Sequence, residues 1–295
     1  MIAAFAFLIW PGLLTAQSSP NELVRRVIDN ELSAENQDHS HWMFRLEKED
    51  RSGQKEVDEV VETKDGDLVR PILRNGRELP AKQRQESDRQ LGRNPQGLRK
   101  TQKEKKEDAD RSQQMLKMLP EAFTFSPGER RGDLEELHFR PNSTFHARSH
   151  EAEVFHAMEG DVWLDVKQNR LAEISGHLIE AVKFAGGVLG HLDKGGTFHA
   201  KQEEVAPGYW ELTVLNVQMK GKALFFKTIS VHQNIVRMEF KRVPDDLTIA
   251  QAAELLKKAA HNSSVSAPAL IRLHEKRLVE IEQPLLKVVS RTGEV

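Results

Sequence analysis

The sequence predicts an α+β protein built mainly on an antiparallel β-sheet. Two observations carry this. Short runs of alternating apolar residues recur along most of the chain, and turn signals of two to four residues join many of them. Parallel neighbours need a long crossover, so strands joined this tightly pair antiparallel. Amphipathic helical patterns then stand at both ends of the strand-rich region.

The chain of 295 residues can bury a sizeable core, as one large domain or two small ones. A formal net charge of −2 supplies no global field that would draw it to nucleic acid or an anionic membrane. There is no cysteine, which excludes disulfides, thiolate metal sites and cysteine nucleophiles.

Residues Ile2 to Trp10 are all apolar, Pro11-Gly12 interrupts them, and Leu13 to Ala16 lead into polar Gln17-Ser18-Ser19. We read residues 1–16 as a secretory signal peptide cleaved after Ala16; the alternative is a buried N-terminal helix. The basic residues that usually open such a signal are lacking, which is consistent with a start upstream of Met1. The run is shorter than the roughly 20 apolar residues of a membrane span. No cysteine follows it, so the mature protein is not expected to be a lipoprotein.

Residues 17–243 are expected to form the β domain. From Asn21 to Gln37, Val24, Val27, Ile28 and Leu32 share one helical face, with Ser19 or Asn21 as cap and Pro20 in the first turn. Strands follow at His41 to Glu47, Lys55 to Thr63 and Leu68 to Leu73, with turns at Asp65-Gly66 and Asn75-Gly76. Composition shifts at Pro80. Residues 80–118 are dominated by Lys, Arg, Glu, Asp and Gln, and Asn94-Pro95-Gln96-Gly97 divides them into two helices. This charged helical insertion reads as a solvated surface segment or as a lid or docking arm.

Strands resume at Ala122 to Phe125 and Leu134 to Phe139. Asp161 to Val166 and Leu171 to Leu178 form a hairpin around Gln168-Asn169, which Ile179 to Phe184 would extend. Thr197 to Glu204 turns at Pro207-Gly208 into Trp210 to Met219. A turn is expected at Lys220-Gly221-Lys222, then strands at Ala223 to His232 and Ile235 to Val243. Residues 244–295 read as a C-terminal helix and a peripheral tail. Thr248-Ile249-Ala250-Gln251 has the form of a capping box, and the helix is expected to end near His261.

Catalytic signatures are missing. Gly186-Gly187-Val188-Leu189-Gly190 is neither a dinucleotide fingerprint nor a phosphate loop, and glycines of this sort serve turns or bulges. His146, His150 and His156 gather before the second set of strands, without the spacing of a zinc protease. Ser175 and His177 share a strand face but lack an evident acid. No catalytic residue, metal or cofactor is therefore expected. Apolar residues are abundant instead, and several strands are apolar on both faces, so helices or a ligand must cover each side. Strand position alone names Trp42, Phe44, Trp163, Phe184, Phe198, Trp210 and Phe225 as candidate ligand-binding residues.

Asp161-Val162-Trp163-Leu164-Asp165, a turn, and Arg170 to Gly176 resemble the hairpin of the outer-membrane lipoprotein-sorting superfamily, the LolA/LolB-like carriers. The strands from Thr197 to Glu204, Trp210 to Met219 and Lys227 to His232 continue that rhythm, and the resemblance spans Asn21 to Val243. It lies nearer to bacterial members of the group other than the lipoprotein chaperone. The resemblance implies a strongly curved antiparallel sheet, an incomplete barrel, covered by helices. It also implies an apolar ligand in the hollow: a lipid, an acyl chain or a lipidated protein. The expected function is thus a periplasmic, non-enzymatic binding or carrier protein. The alternative is a cell-envelope interaction or regulatory module docking through residues 80–118. No nucleic acid partner is expected, nor integration into the membrane.

Overall fold

The first and last strands of the sheet lie side by side, while its two edges are neighbours in sequence. The computed structural model describes residues 19–49, 52–223 and 227–263. The signal segment 1–16, Phe225 and the tail beyond residue 263 lie outside the described residues.

The chain opens with α1 (Pro20–Gln37). The Ser19 hydroxyl accepts from the Glu22 amide at 3.3 Å, and the Glu22 carboxylate accepts from the Ser19 amide at 2.9 Å. This closes a capping box around Pro20. Asn21, the other candidate cap, instead donates to the Phe123 carbonyl at 3.1 Å. Leu23, Val24, Val27 and Ile28 are buried, as the helical spacing requires.

Strands β1 (His41–Glu49), β2 (Lys55–Val61), β3 (Leu68–Arg74) and the two-residue β4 (Arg77–Glu78) follow as hairpins. The β3–β4 turn carries Asn75 at φ 50° and Gly76 at φ 72°, the left-handed pair that a tight hairpin demands. Next come α2 (Ala81–Gln90) and α3 (Pro95–Ala122), the latter capped by the Asn94 side chain on the Gly97 amide at 2.8 Å. Then β5 (Phe123–Arg131), β6 (Leu134–Pro141), a 3-10 turn (Glu151–Ala157), β7 (Met158–Asp165) and β8 (Arg170–Leu178). The remaining strands are β9 (Val182–Phe184), β10 (Gly190–Leu192), β11 (Thr197–Ala206), β12 (Tyr209–Ala223) and β13 (Lys227–Val243), followed by α4 (Ile249–Ser263). Thr248 and Gln251 exchange the amide-to-side-chain bonds of the expected capping box, at 2.9 and 3.3 Å.

Among the described residues, all thirteen strands form one antiparallel sheet that does not close into a barrel. Its main path runs β4-β3-β2-β1-β13-β12-β11-β8-β7-β6-β5, with β10 on β12 and β9 on β10. The edges β4 and β5 are therefore joined by α2 and α3. Ten strand spacings of about 4.8 Å separate those edges, some 48 Å along the sheet. A helix the length of α3 spans about 42 Å. The charged segment thus carries the chain from one edge of the sheet to the other. It is also tied down, with the Lys105 ammonium 2.9 Å from both Glu62 and Asp67.

Two expectations fail. Ile179 to Phe184 does not extend β8, which ends at Leu178; Val182–Phe184 forms the separate strand β9, paired with β10. No turn forms at Lys220-Gly221-Lys222, where β12 continues to Ala223 in unbroken register with β13. The expected strands on either side of Gln233-Asn234 belong to the single strand β13. Gly221 serves close approach instead. A Cβ there would lie 2.1 Å from the His191 carbonyl, so only glycine lets β10 pair on this part of β12.

The largest core packs α1 and the last turns of α3 onto β5 to β8, around Phe123, Leu137, Phe139, Leu164 and Leu178. A second cluster packs α4 against Val61, Leu68 and Val243. A third gathers Trp42, Phe44 and Val60 with Tyr209 and Phe240.

Candidate functional site, an apolar cleft beside the 3-10 turn

The resemblance places a ligand in the hollow between sheet and helices, and under α1 and α3 the core is filled. The gap among Val24, Ile28, Leu119, Phe123 and Phe139 amounts to about 10 Å³, the threshold for a single water. A cleft of about 490 Å³ opens elsewhere, where α3, the 3-10 turn and the β9–β10 hairpin meet. Met115 enters it from α3, Val154 and Phe155 from the 3-10 turn, and Met158 from β7. Phe184 and Leu192 come from β9 and β10, Leu189 from the loop between them, and Met219 from β12. Methionine is unbranched and polarizable, so such a wall can adapt to irregular apolar shapes.

The lip of the cleft is built by backbone conformation. Ala185, Gly186, Gly187 and Gly190 have φ of 49°, 66°, 97° and 124°, which the three glycines accept without strain and the alanine does not. This winding turns Val188 and Leu189 outward, 71% and 39% exposed. Among the described residues, the only other large hydrophobic side chain exposed to this extent is Val69.

Two polar groups line the cleft. The His150 imidazole lies 2.9 Å from the Glu153 carboxylate, whose second oxygen accepts from the Ala185 amide at 3.3 Å. Glu153 thereby clamps the 3-10 turn to the glycine lip. The Glu151 carboxyl is held below its usual range by its own backbone amide and by the Ser149 hydroxyl.

Comparison with family models, curated proteins and solved structures finds no match to this chain.

Of the aromatic residues named from strand position, Phe184 lines the cleft. Phe198 packs into the main core, with its ring centroid 6.5 Å from that of Phe139. Trp42 and Phe44 pack on Phe240 at 6.2 and 5.3 Å. Trp163 lies under the Arg131 guanidinium at 4.4 Å and Trp210 under that of Arg170 at 5.4 Å. Phe225 lies outside the described residues. The cleft's other lining residues are not among those aromatic candidates. The glycine run was visible, but nothing in its spacing says that Val188 and Leu189 project from it.

The histidines of the 146–156 segment take separate roles. His150 pairs with Glu153, and His156 lies against Phe145 at 5.6 Å. His177 sits 3.5 Å from Glu159 across the β7–β8 ladder rather than in a serine dyad. Among the described residues, no helix is long and apolar enough to cross a membrane.

Proposed function

We propose that the protein is a non-enzymatic binding or carrier protein for an apolar ligand, an acyl chain or a lipid, seated in the cleft between the 3-10 turn and the β9–β10 hairpin. The observation that carries this reading is the lip. Leu189, 39% exposed, stands at the mouth of a cleft to which α3, the 3-10 turn, β7, β9, β10 and β12 each contribute apolar side chains, and Val188 is exposed next to it in the chain. Exposed apolar groups grouped around a concavity mark a binding surface rather than a core. The volume of about 490 Å³ falls within the roughly 300–1,000 Å³ of small-molecule sites. Each methylene moved from water into such a wall contributes about 0.8 kcal/mol. That term is non-directional, so it suits a flexible chain.

Export to the periplasm belongs to the same proposal and is supported by the apolar stretch Ile2 to Trp10. So does kinship with the LolA/LolB-like carriers, including a sheet bent into a half-barrel. Support for it comes from the antiparallel sheet, the helices packed on it and the hairpin from Asp161 to Gly176. The cleft here lies at the end of the helix layer instead of beneath it.

The test is uptake of a fluorescent fatty acid by delipidated protein. Saturable binding of micromolar or better affinity is expected, competed by an unlabelled acyl chain. Signal that rises linearly with probe and never saturates would reject the reading.

A further inference from the structure

A second constellation lies on β6 and β7, separate from the cleft. Glu136 and His138 are two apart on β6, so they project from the same face. Asp161 stands directly opposite His138 on β7. One ligating atom from each of the three lies within 4.8 Å of the others. The Asp161 carboxylate sits 2.5 Å from His138 Nδ1. With the proton on Nδ1 facing that carboxylate, the neutral imidazole presents its lone pair at Nε2.

Glu136 and His138 converge where β5 carries a glycine. At Gly128, in the bulge of β5 between Pro127 and Arg130, a Cβ would fall 2.7 Å from Glu136 Oε2 and 3.0 Å from His138 Nε2. Both ligand atoms therefore pack against the Gly128 backbone, and a methyl group there would push them aside. Gly128 is not among the glycines with positive φ, so the backbone conformation does not call for glycine there. Glu136 is already oriented, because its Oε2 accepts from the Glu129 amide at 3.0 Å. Arg131, the cation nearby on β5, is engaged by Glu129 at 2.8 Å and lies over Trp163.

We propose that Glu136 and His138, with Asp161 bound behind the imidazole, form a site for a divalent transition-metal ion such as Zn²⁺, beside Gly128. A carboxylate oxygen and an imidazole nitrogen suit such an ion at about 2.0–2.2 Å. A carboxylate on the far nitrogen of a ligating histidine fixes its tautomer and raises its basicity. Two protein ligands leave the remaining coordination positions to water or to a ligand group. The site is half-exposed, so an ion can enter without opening the fold.

The experiment is titration of Zn²⁺ into the full chain, purified without a histidine tag and stripped with chelator, followed by calorimetry. Co²⁺ absorption provides an independent readout of nitrogen–oxygen ligation. One ion per chain is expected. H138A should remove that stoichiometric binding. G128A keeps every ligand but displaces Glu136 Oε2 and His138 Nε2, and should weaken binding by tenfold or more. D161N should weaken it by about 10- to 100-fold, the range for loss of such a supporting partner. H146A and H150A should bind as the parent does, and thermal melts should stay close to the parent's throughout. Should G128A fold poorly, E136Q replaces it and is expected to weaken binding likewise. Absence of stoichiometric binding in the parent would overturn the proposal. Parent-like affinity in H138A, or loss of binding in H146A instead, would do the same.

Discussion

Phe139 on β6 and Phe198 on β11 bring their rings to 6.5 Å although two strands run between them. The register explains it. Phe139 stands opposite Gly160, Gly160 opposite Gly176, and Gly176 opposite Phe198. Two paired glycines leave a trough on the core face, and the flanking rings lean into it. A Cβ at Gly160 would lie 2.0 Å from the Ser175 carbonyl, and one at Gly176 2.9 Å from the Phe198 ring. Gly176→Ala should therefore force the ring or the strand to move. A destabilisation of about 1–3 kcal/mol is expected, the range for overpacking. Urea unfolding measures it, and an unchanged midpoint would show that the trough is not needed.

Glu31 of α1 is buried and meets Arg170 at 2.8 and 3.0 Å, while the Leu171 amide donates to it at 2.6 Å. This one carboxylate fastens α1 to the β7–β8 hairpin. Glu31→Ala leaves a largely covered guanidinium and a buried amide without their acceptor. Breaking a buried pair from one side should lower stability by about 3–5 kcal/mol. Removing both partners should be less than additive, a non-additivity that a double-mutant cycle reads directly.

Leu189→Glu tests the cleft with little risk to folding, because that side chain is already 39% exposed. A charge at the lip must be desolvated before an acyl chain can seat. Fatty-acid probe affinity should fall by about tenfold, equal to 1.4 kcal/mol, with the melting temperature nearly unchanged. Equal affinity for both proteins would place the ligand elsewhere.

Glu211 on β12 gives the fold a pH signature. Burial pushes its carboxyl up from 4.5 to about 7, with Glu62 and Asp38 adding to the effect and Arg237 and Lys105 opposing it. Between those values the folded chain holds a proton that the unfolded chain has released, so this group's contribution falls as pH rises. Glu211→Gln should be the more stable protein at about pH 8, with the gap closing toward about pH 4. The gap should reach at most about 3 kcal/mol, and less where solvent screens the site. Denaturant melts across that range give the difference curve. A pH-independent difference would assign the effect to packing.

Local signals were legible in the sequence because they depend on a few adjacent residues. The Ser19 and Thr248 caps, the Asn75-Gly76 turn and the division of the charged segment at Asn94-Pro95 all belong to this class. Gly221 was misread because glycine serves both tight turns and close strand contact, and spacing does not separate the two. The pairing of β1 with β13 joins His41 to Val243 and leaves no short-range trace. The candidate sites follow the same divide. Glu136 and His138 share a strand face by alternation alone, but their meeting with Asp161 depends on the β6–β7 register and that with Gly128 on a bulge in β5. The cleft needs β7, β9, β10 and β12 to converge with a helix and a 3-10 turn, and strand position could not say which face each aromatic residue would take.

The adjacency of β1 and β13 sets the order in which the protein can mature. An N-terminal portion emerging from a ribosome or a translocon can fold its first hairpins, but the free flank of β1 then presents bare amides and carbonyls until the far end of the sheet has been made. Such a flank invites pairing with other chains. Distant partners also make closure slow. A chaperone holding the nascent polypeptide until Val243 has emerged would meet that hazard, and chains truncated before Lys227 should aggregate or be digested where the complete chain is not.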